Sequence, residues 1–444
     1  MTRETQQISG GDITIVGGGL GGLTAAIACA EGGARVTLHE AHRELGGRAR
    51  STAAPYVANE GTHVFYSDGE PWRWLEARGL VRPYTGLTPG ILARSRFRHG
   101  GRLSGMPPWS LLKALARRRL RAPVDEDFGT WATRRFGEEG MRALAGLVGV
   151  ITYDADPGRL SAAFVWERAL RAAAPKYPAP RYVTGGWGRV IDRMAVHARG
   201  LGVRIETGSR VDRLPENAPV IVATSLDAAR TLLGDESLRG ESGKAVLLDL
   251  GLRASADDLF VVSDLDEGGF LERYSLPDPS LAPDGHSLCQ LQMPVRPGET
   301  RAEAISRAER VADLGLPGWR ERTTWRREAT CNGRTGALDL PGATWRDRPA
   351  IDRGDGVWLI GDAVAAPGLL SEVSSHSALI AAEAALRAVS GTGRSQRRAD
   401  SGAGPVPGAG RSQERARPRS GSRPRSGTAL RGATLEAAPD RVTR

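Results

Sequence analysis

Residues 13–16 form a short apolar run that stops at Gly17. Gly17, Gly19 and Gly22 make a GxGxxG turn, which opens into an alanine-rich segment reaching Glu31 and closed by Gly32 and Gly33. Residues 35–38 then start a second apolar strand that leads to His39 and Glu40. This order of strand, glycine turn, helix, strand and acid constrains the fold more than any other feature, because it fits a parallel α/β unit with a ligand on the turn. Gly17 permits the tight turn, Gly19 lets the backbone approach a pyrophosphate, and Gly22 lets helix and strand pack closely. The helix start adds unpaired N–H groups and positive dipole, which favour phosphate. Glu40 is placed to accept ribose hydroxyls, and its charge disfavours a 2′-phosphate, so NADP is not expected on this turn. With 57 glycines in 444 residues, a bare GxGxxG would be weak. The flanking strands and the acid are what make it a dinucleotide cradle.

Downstream, residues 45–50 (LGGRAR) make a second glycine turn whose Gly47 and Arg48 are suited to a pyrophosphate, with Arg50 beside them. Residues 56–65 read as a strand in which Gly61 permits close approach and His63 takes the face alternate to Val64, although a lone histidine is more often structural. Residues 70–80 read as a short helix capped by Asp68 and ended by Gly79. Between residues 85 and 180 the pattern becomes helical, with helices expected near 109–121, 128–136 and 141–150. The α/β pattern returns at Thr184 with a glycine turn, a helix and strands at 203–206 and 219–224. Lys244 starts a second set of strands, including 260–263 and 288–294, which reads as a separate antiparallel sheet followed by an amphipathic helix at 299–314. Residues 357–360 then end in Gly361 and Asp362 and pass through Gly368 into a long helix over 372–389. An acid at the carboxyl end of a parallel strand faces the ligand crevice.

The formal charge of +10 would suggest nucleic acid if it were spread over the chain. It is not: from Gly391 onward 12 Arg face four acids, a net of +8, which leaves +2 for the body. Those residues combine Gly, Ser, Pro and Arg with few aliphatics and read as a disordered tail, so no nucleic-acid partner is expected. No apolar run approaches the ~18 residues of a membrane span, and a cytoplasmic setting is expected. Residues 109–121 place Trp109 and leucines ahead of Arg117, Arg118, Arg119 and Arg121, a composition compatible with peripheral contact to an anionic membrane; a solvated helix face is the plainer alternative. Cys29, Cys289 and Cys331 lie far apart without a CxxC pair, so neither a disulfide framework nor a metal site is expected, and they read as buried thiols.

Taken together, the GGGLGG cradle with Glu40, the LGGRAR turn, GGWGRVID, GSRVDRL, PVIVATSLDAARTLL and WLIGDA resemble the FAD-dependent oxidoreductase superfamily of phytoene desaturases, protoporphyrinogen oxidases and flavin amine oxidases. The resemblance runs over most of residues 10–390. It implies an α/β fold: a Rossmann-like FAD-binding domain assembled from residues 1–84, 181–240 and 330–390, and a substrate domain of antiparallel sheet plus helical insertion from 85–180 and 241–329. It also implies FAD as cofactor, held by Gly17, Gly19, Gly22, Glu40, Gly47, Arg48 near the pyrophosphate, Val211 against adenine, Gly361, Asp362 on the ribityl chain, and Glu372. His63 and Glu372 are candidates for the flavin face, and no catalytic side chain is named. Glu372, Ser377, Ala378, Ala381 and Ala382 match the final helix motif, with Val373 and Ala378 in place of its two glycines.

Within the superfamily, amine oxidases carry an aromatic residue two positions before the acid, where this chain has Leu370, and a lysine at the start of a substrate-domain strand, for which Lys244 is the candidate. The missing aromatic favours a desaturase or oxidase acting on a largely apolar small molecule, with oxygen or a quinone as electron acceptor, over an amine or amino-acid oxidase. A non-redox lipid or prenyl-chain carrier of the same fold is the alternative of another class. Intact Glu40, LGGRAR and Gly361-Asp362 argue against it. A nicotinamide-dependent dehydrogenase would leave Asp362 unexplained.

Overall fold

The computed structural model describes residues 11–61, 64–173, 180–216 and 218–400, with side chains as far as residue 390 apart from that of Arg334. The tail expected to be disordered from residue 391 continues the helix Ser371–Asp400 over its first ten residues, while His63 and the residues beyond 400 lie outside those described.

The first sheet is the predicted parallel one. Its five strands lie in the order Val357–Leu359, Val220–Val222, Asp12–Val16, Arg35–Glu40 and Arg204–Thr207, and every neighbouring pair is parallel. Ile15, Leu38, Val220, Ile221 and Val222 are fully buried, as expected for strands covered on both faces. The helices Leu20–Glu31 and Gly186–Gly200 pack together, and the helix beginning at Ser371 contributes Ala378, Ala381, Ala382 and Ala385 to the same core. Small side chains on that helix allow close approach to the sheet.

The second sheet has seven strands, in the order Thr323–Ala337, Ser242–Arg253, His286–Pro294, Phe270–Glu272, Val261–Asp264, Ser95–His99 and Arg102–Ser104. All pairs are antiparallel except Val261–Asp264 with Ser95–His99. One face, carrying Val246, Leu248, Leu250, Leu291 and Met293, packs on the helix Arg301–Gly315, whose Thr300 and Glu303 form a capping box. The boundary expected at residue 330 falls inside the continuous strand Thr323–Ala337.

Three local expectations are corrected. Residues 56–61 form bends and one isolated bridge, Asn59 with Ser51, and no strand; Phe65–Tyr66 pairs in a small three-stranded sheet with Pro180–Val183 and Tyr84–Gly86. The Thr52 hydroxyl donates to the Tyr56 carbonyl and accepts from Ala58 N–H at 2.8 Å, which closes a local turn that competes with a ladder. Asp68 does not cap the helix Glu70–Ala77, whose N-cap is Gly69; it accepts from Arg171 at 2.8 Å instead. The helix expected near 109–121 ends at Ala116, whereas the two helices expected at 128–136 and 141–150 are both present, separated within Phe128–Thr152 by Gly137 at φ 75° and ψ 168°.

Candidate functional site

Where the first strand ends, Gly17 has φ 111°, a conformation in which a side chain is strained, and a Cβ there would sit 2.6 Å from the Ala223 carbonyl. A Cβ on Gly22 would approach the Gly17 carbonyl to 1.9 Å. The backbone is therefore folded against itself as tightly as glycine allows, and the helix that follows has no side-chain cap. Its first turn keeps donors for a ligand. Glu40 accepts from Gly18 N–H at 2.7 Å and from His42 N–H at 2.9 Å, and is buried at the end of its strand. Burial raises its pKa, but those N–H groups and the His42 ring outweigh it, so the carboxylate stays ionised below its usual range.

A single cavity of about 1020 Å³ begins at this turn. It runs past Gly17, Gly19, Glu40 and Val211, along Gly47 and Arg48, to Gly361 and Asp362, and ends against Leu247, Ala329 and Cys331 of the second sheet. The glycine turns touch: Gly46 N–H donates to the Gly18 carbonyl at 2.8 Å. Across the cavity Asp362 pairs with Arg48, which donates through both terminal nitrogens, one of them at 2.7 Å. Burial opposes ionisation of Asp362, yet the Arg48 guanidinium holds its carboxyl below the ordinary range. Ser377, fully buried, accepts from Gly361 N–H at 3.1 Å and fixes the strand end. Leu370, Ser371 and Ser374, at the start of the last helix, also line the cavity.

Of the residues expected in the site, Gly22 lies beneath the turn and does not line the cavity. Glu372 is placed elsewhere: it takes both terminal nitrogens of Arg171, at 2.5 and 2.7 Å, and Leu369 N–H at 2.9 Å, which ties the last helix to the helix Ala162–Ala172. A carboxylate buried among apolar side chains is held by the nearest guanidinium in preference to an open cavity. Lys244 is exposed at its strand start and does not line the cavity either. Cys331, expected as a buried thiol, is half-buried at the cavity wall.

Two features were not foreseen. Tyr153 and Leu370 hold left-handed backbone, with φ 55° and 52°, and both line the cavity; among the described residues the third such non-glycine is Asp355. Strain of this kind gathers at ligand sites. A polar row also crosses the second sheet in register, Glu272 opposite Gln290, Gln290 opposite Asp249, and Asp249 opposite Arg327. Gln290 donates to Asp249 at 2.7 Å, and Arg327 donates to Asp249 at 2.7 Å and to the Asn59 carbonyl at 2.9 Å. Arg327 lines the cavity. Tyr182 donates to Glu272 at the far end, where burial pushes the Glu272 carboxyl up to about 7. The signal for this row was in the sequence, in Gln290 and Gln292 at two-residue spacing and in Asp249 within an apolar run.

With this geometry in hand, comparison with known proteins places the fold. The model of the NAD(P)-binding Rossmann-like domain matches residues 15–76. Over 42 residues the chain is 57% identical to the carotenoid 3,4-desaturase of Haloarcula japonica, a match that covers 10% of this chain and only 8% of that protein. It is 28% identical over 288 residues to the D-amino-acid oxidase of Streptomyces coelicolor, covering 63% of this chain and 70% of the oxidase. Among solved structures, cyclohexylamine oxidase from Brevibacterium oxydans superposes with a TM-score of 0.64 at 18% identity, covering 85% of this chain and 99% of the oxidase. The chain has the fold of FAD-dependent oxidoreductases: a Rossmann-like parallel core with a second, antiparallel sheet.

Proposed function

We propose that this chain is an FAD-dependent oxidoreductase that oxidises a largely apolar small molecule, as a desaturase or oxidase, with oxygen or a quinone as the final acceptor. The observation that carries the reading is the cavity that joins the glycine cradle to Leu247 and Ala329 of the second sheet, lined along its course by residues suited to hold a dinucleotide. The residues fit the cofactor. The tight turn at Gly17 leaves backbone donors for pyrophosphate, Glu40 is ionised for ribose hydroxyls, Val211 lies by the expected adenine, and Arg48 and Asp362 flank the middle of the cavity. Bound FAD supplies a two-electron acceptor. The chain's own residues orient the substrate, exclude water and direct the start of the last helix, at Ser371, toward the ring.

Leu247, Ala329 and Leu370 in the lining support the substrate preference, and the exposed position of Lys244 removes one argument for amine oxidation. Arg327 favours a second reading. A guanidinium at the cavity wall, braced by Asp249, suits a substrate carboxylate, as an amino-acid oxidase would need, and the 28% likeness to a D-amino-acid oxidase points the same way.

The absorption spectrum of the purified chain tests the cofactor: flavin bands, or their recovery on adding FAD, are expected, and their absence sinks the oxidoreductase reading. Anaerobic bleaching by a panel of polyenes, porphyrinogens, amines and amino acids separates the substrates. Bleaching by an apolar polyene or porphyrinogen is expected. Rapid bleaching by an amino acid, lost in Arg327→Met, would replace the first reading with the second.

A further inference from the structure

Away from the cavity, the chain between Leu92 and Arg121 carries nine cations, Arg94, Arg96, Arg98, Arg102, Lys113, Arg117, Arg118, Arg119 and Arg121, and no acid. It also exposes apolar side chains that a soluble surface would bury. Of the seven large hydrophobics exposed among the described residues, four fall here: Leu92 at 45%, Leu103 at 38%, Met106 at 66% and Trp109 at 68%. The backbone explains why they stand out. Arg102–Ser104 is the edge strand of the second sheet, pairing on one side with Ser95–His99, and Pro107 and Pro108 then start the helix Trp109–Ala116. That helix buries Leu111 and Ala114 against the helix Phe128–Thr152, which turns Trp109 and Lys113 outward one turn apart, with the Lys113 ammonium 5.5 Å from the centre of the indole ring. Arg117 follows on the same face, one turn further.

The charges are not consumed by the fold. Arg98 is held by Asp264, and Arg94, Arg96 and Arg117 donate to backbone carbonyls. Arg102, Arg118, Arg119 and Arg121 are exposed and make no ion pair among the described residues, and Lys113 meets only the indole. The face therefore presents apolar anchors, Leu103, Met106 and Trp109, bordered by uncompensated cations. We propose that this face docks on an anionic lipid bilayer, with Trp109, Met106 and Leu103 entering the headgroup boundary and the surrounding Arg and Lys side chains meeting lipid phosphates. The chemistry is complementary on both counts: an amphipathic indole prefers the interface, and basic side chains gather at a negative surface. A protein partner with an acidic, apolar patch would also meet the charge, and its binding would be seen without vesicles. The proposal is independent of the substrate assigned above.

Co-sedimentation of the full chain with vesicles tests it. Binding to vesicles of phosphatidylcholine mixed with phosphatidylglycerol is expected, with little to phosphatidylcholine alone and progressive release by salt. The double variant Met106→Ser/Trp109→Ser should partition roughly tenfold or more weakly, from the lost apolar area alone. Arg118→Glu/Arg119→Glu should steepen the loss at low salt. Both variants change only exposed side chains, and far-ultraviolet circular dichroism checks that they fold. Undiminished binding by Met106→Ser/Trp109→Ser would assign any membrane affinity to the Arg-rich chain beyond residue 390 and overturn the proposal. So would absent binding by the parent chain, or a dimer in light scattering that this variant converts to monomer, which would make the face an interface between copies.

Discussion

The two sheets both have buried central strands but handle polarity in opposite ways. In the parallel sheet the strand interiors are apolar, and the acids Glu40 and Asp362 stand at or just beyond the carboxyl ends, where the chain leaves the sheet. In the seven-stranded sheet one face is apolar and packs on the helix Arg301–Gly315, while the other carries Glu272, Gln290, Asp249 and Arg327 through its middle. The first arrangement puts specificity in the turns. The second puts it in the cross-strand register, where Arg327, which lines the cavity, is held by Asp249 of the neighbouring strand and by the Asn59 carbonyl. A ligand cradle tolerates almost no change in backbone shape, whereas a polar wall can be altered in pairs.

The largest effect is expected in the cradle. Gly22→Val would force a Cβ against the Gly17 carbonyl, 1.9 Å away in the present backbone, and should cost at least about 3 kcal/mol of stability with complete loss of bound flavin. Gly33→Ala, at φ 87° but with nothing within 4 Å, should cost only about 1 kcal/mol and leave flavin content intact. Urea unfolding alongside the flavin-to-protein absorbance ratio checks both. Equal behaviour of the two variants would show that close packing, and not φ alone, is the wrong account of the turn.

Next in size is the polar wall. Arg327→Met leaves Asp249 fully buried beside a single Gln290 donor, and removing one partner of a buried pair costs about 3–5 kcal/mol. Burial already raises the Asp249 pKa against the pull of Arg327, so the variant should carry this acid protonated. Asp249→Leu/Arg327→Met should recover most of the loss, since paired apolar groups of similar volume remove both desolvation penalties. A double variant no more stable than Arg327→Met alone would mean that the wall cannot be exchanged in pairs and that the contrast between the sheets fails.

The same contrast decides what was legible in the sequence. The cradle could be read because its order is local: strand, glycines, helix and acid all fall within residues 13–40, and the returning strand announces itself by Gly361-Asp362. The wall was legible only in part, since Gln290 and Gln292 show the two-residue spacing but not which strands lie beside them. The run from Ala245 to Leu252 shows almost nothing but aliphatics, and Asp249 gains its meaning only from Gln290 and Arg327 in the neighbouring strands. Glu372 misled for a related reason. It sits at a motif position one turn from cavity-lining residues, but its guanidinium partner is Arg171, 201 residues away. Residues 56–61 depart from the expected strand because the Thr52 hydroxyl holds a turn that β-propensity alone does not reveal.

A smaller, pH-dependent effect is expected at the far end of the wall. Burial lifts Glu272 from an ordinary 4.5 to about 7, against the hydrogen bond donated by Tyr182. The folded chain thus binds that proton more tightly than the unfolded chain does. Stability from this group is fully present below the unfolded value and is lost as pH rises toward and through about 7, by on the order of 1–3 kcal/mol. Glu272→Gln keeps an acceptor for Tyr182 and cannot ionise, so its melting temperature should decline less than the parent's between those values. Parallel pH profiles for the two chains would remove Glu272 from the account.

The smallest effect is expected at Lys244, and its smallness is informative. A lysine at this strand start would matter to an amine oxidase if it reached the ring, but here its backbone N–H bonds to the Tyr153 carbonyl and its side chain is exposed away from the cavity lining. An exposed lysine without an ion-pair partner contributes within about 0.5 kcal/mol to stability. Lys244→Met should therefore leave both unfolding and the rate of anaerobic flavin bleaching within about twofold of the parent. A much slower bleaching with an amine, at unchanged stability and flavin content, would place Lys244 in the chemistry. It would also make the antiparallel sheet a source of reacting groups.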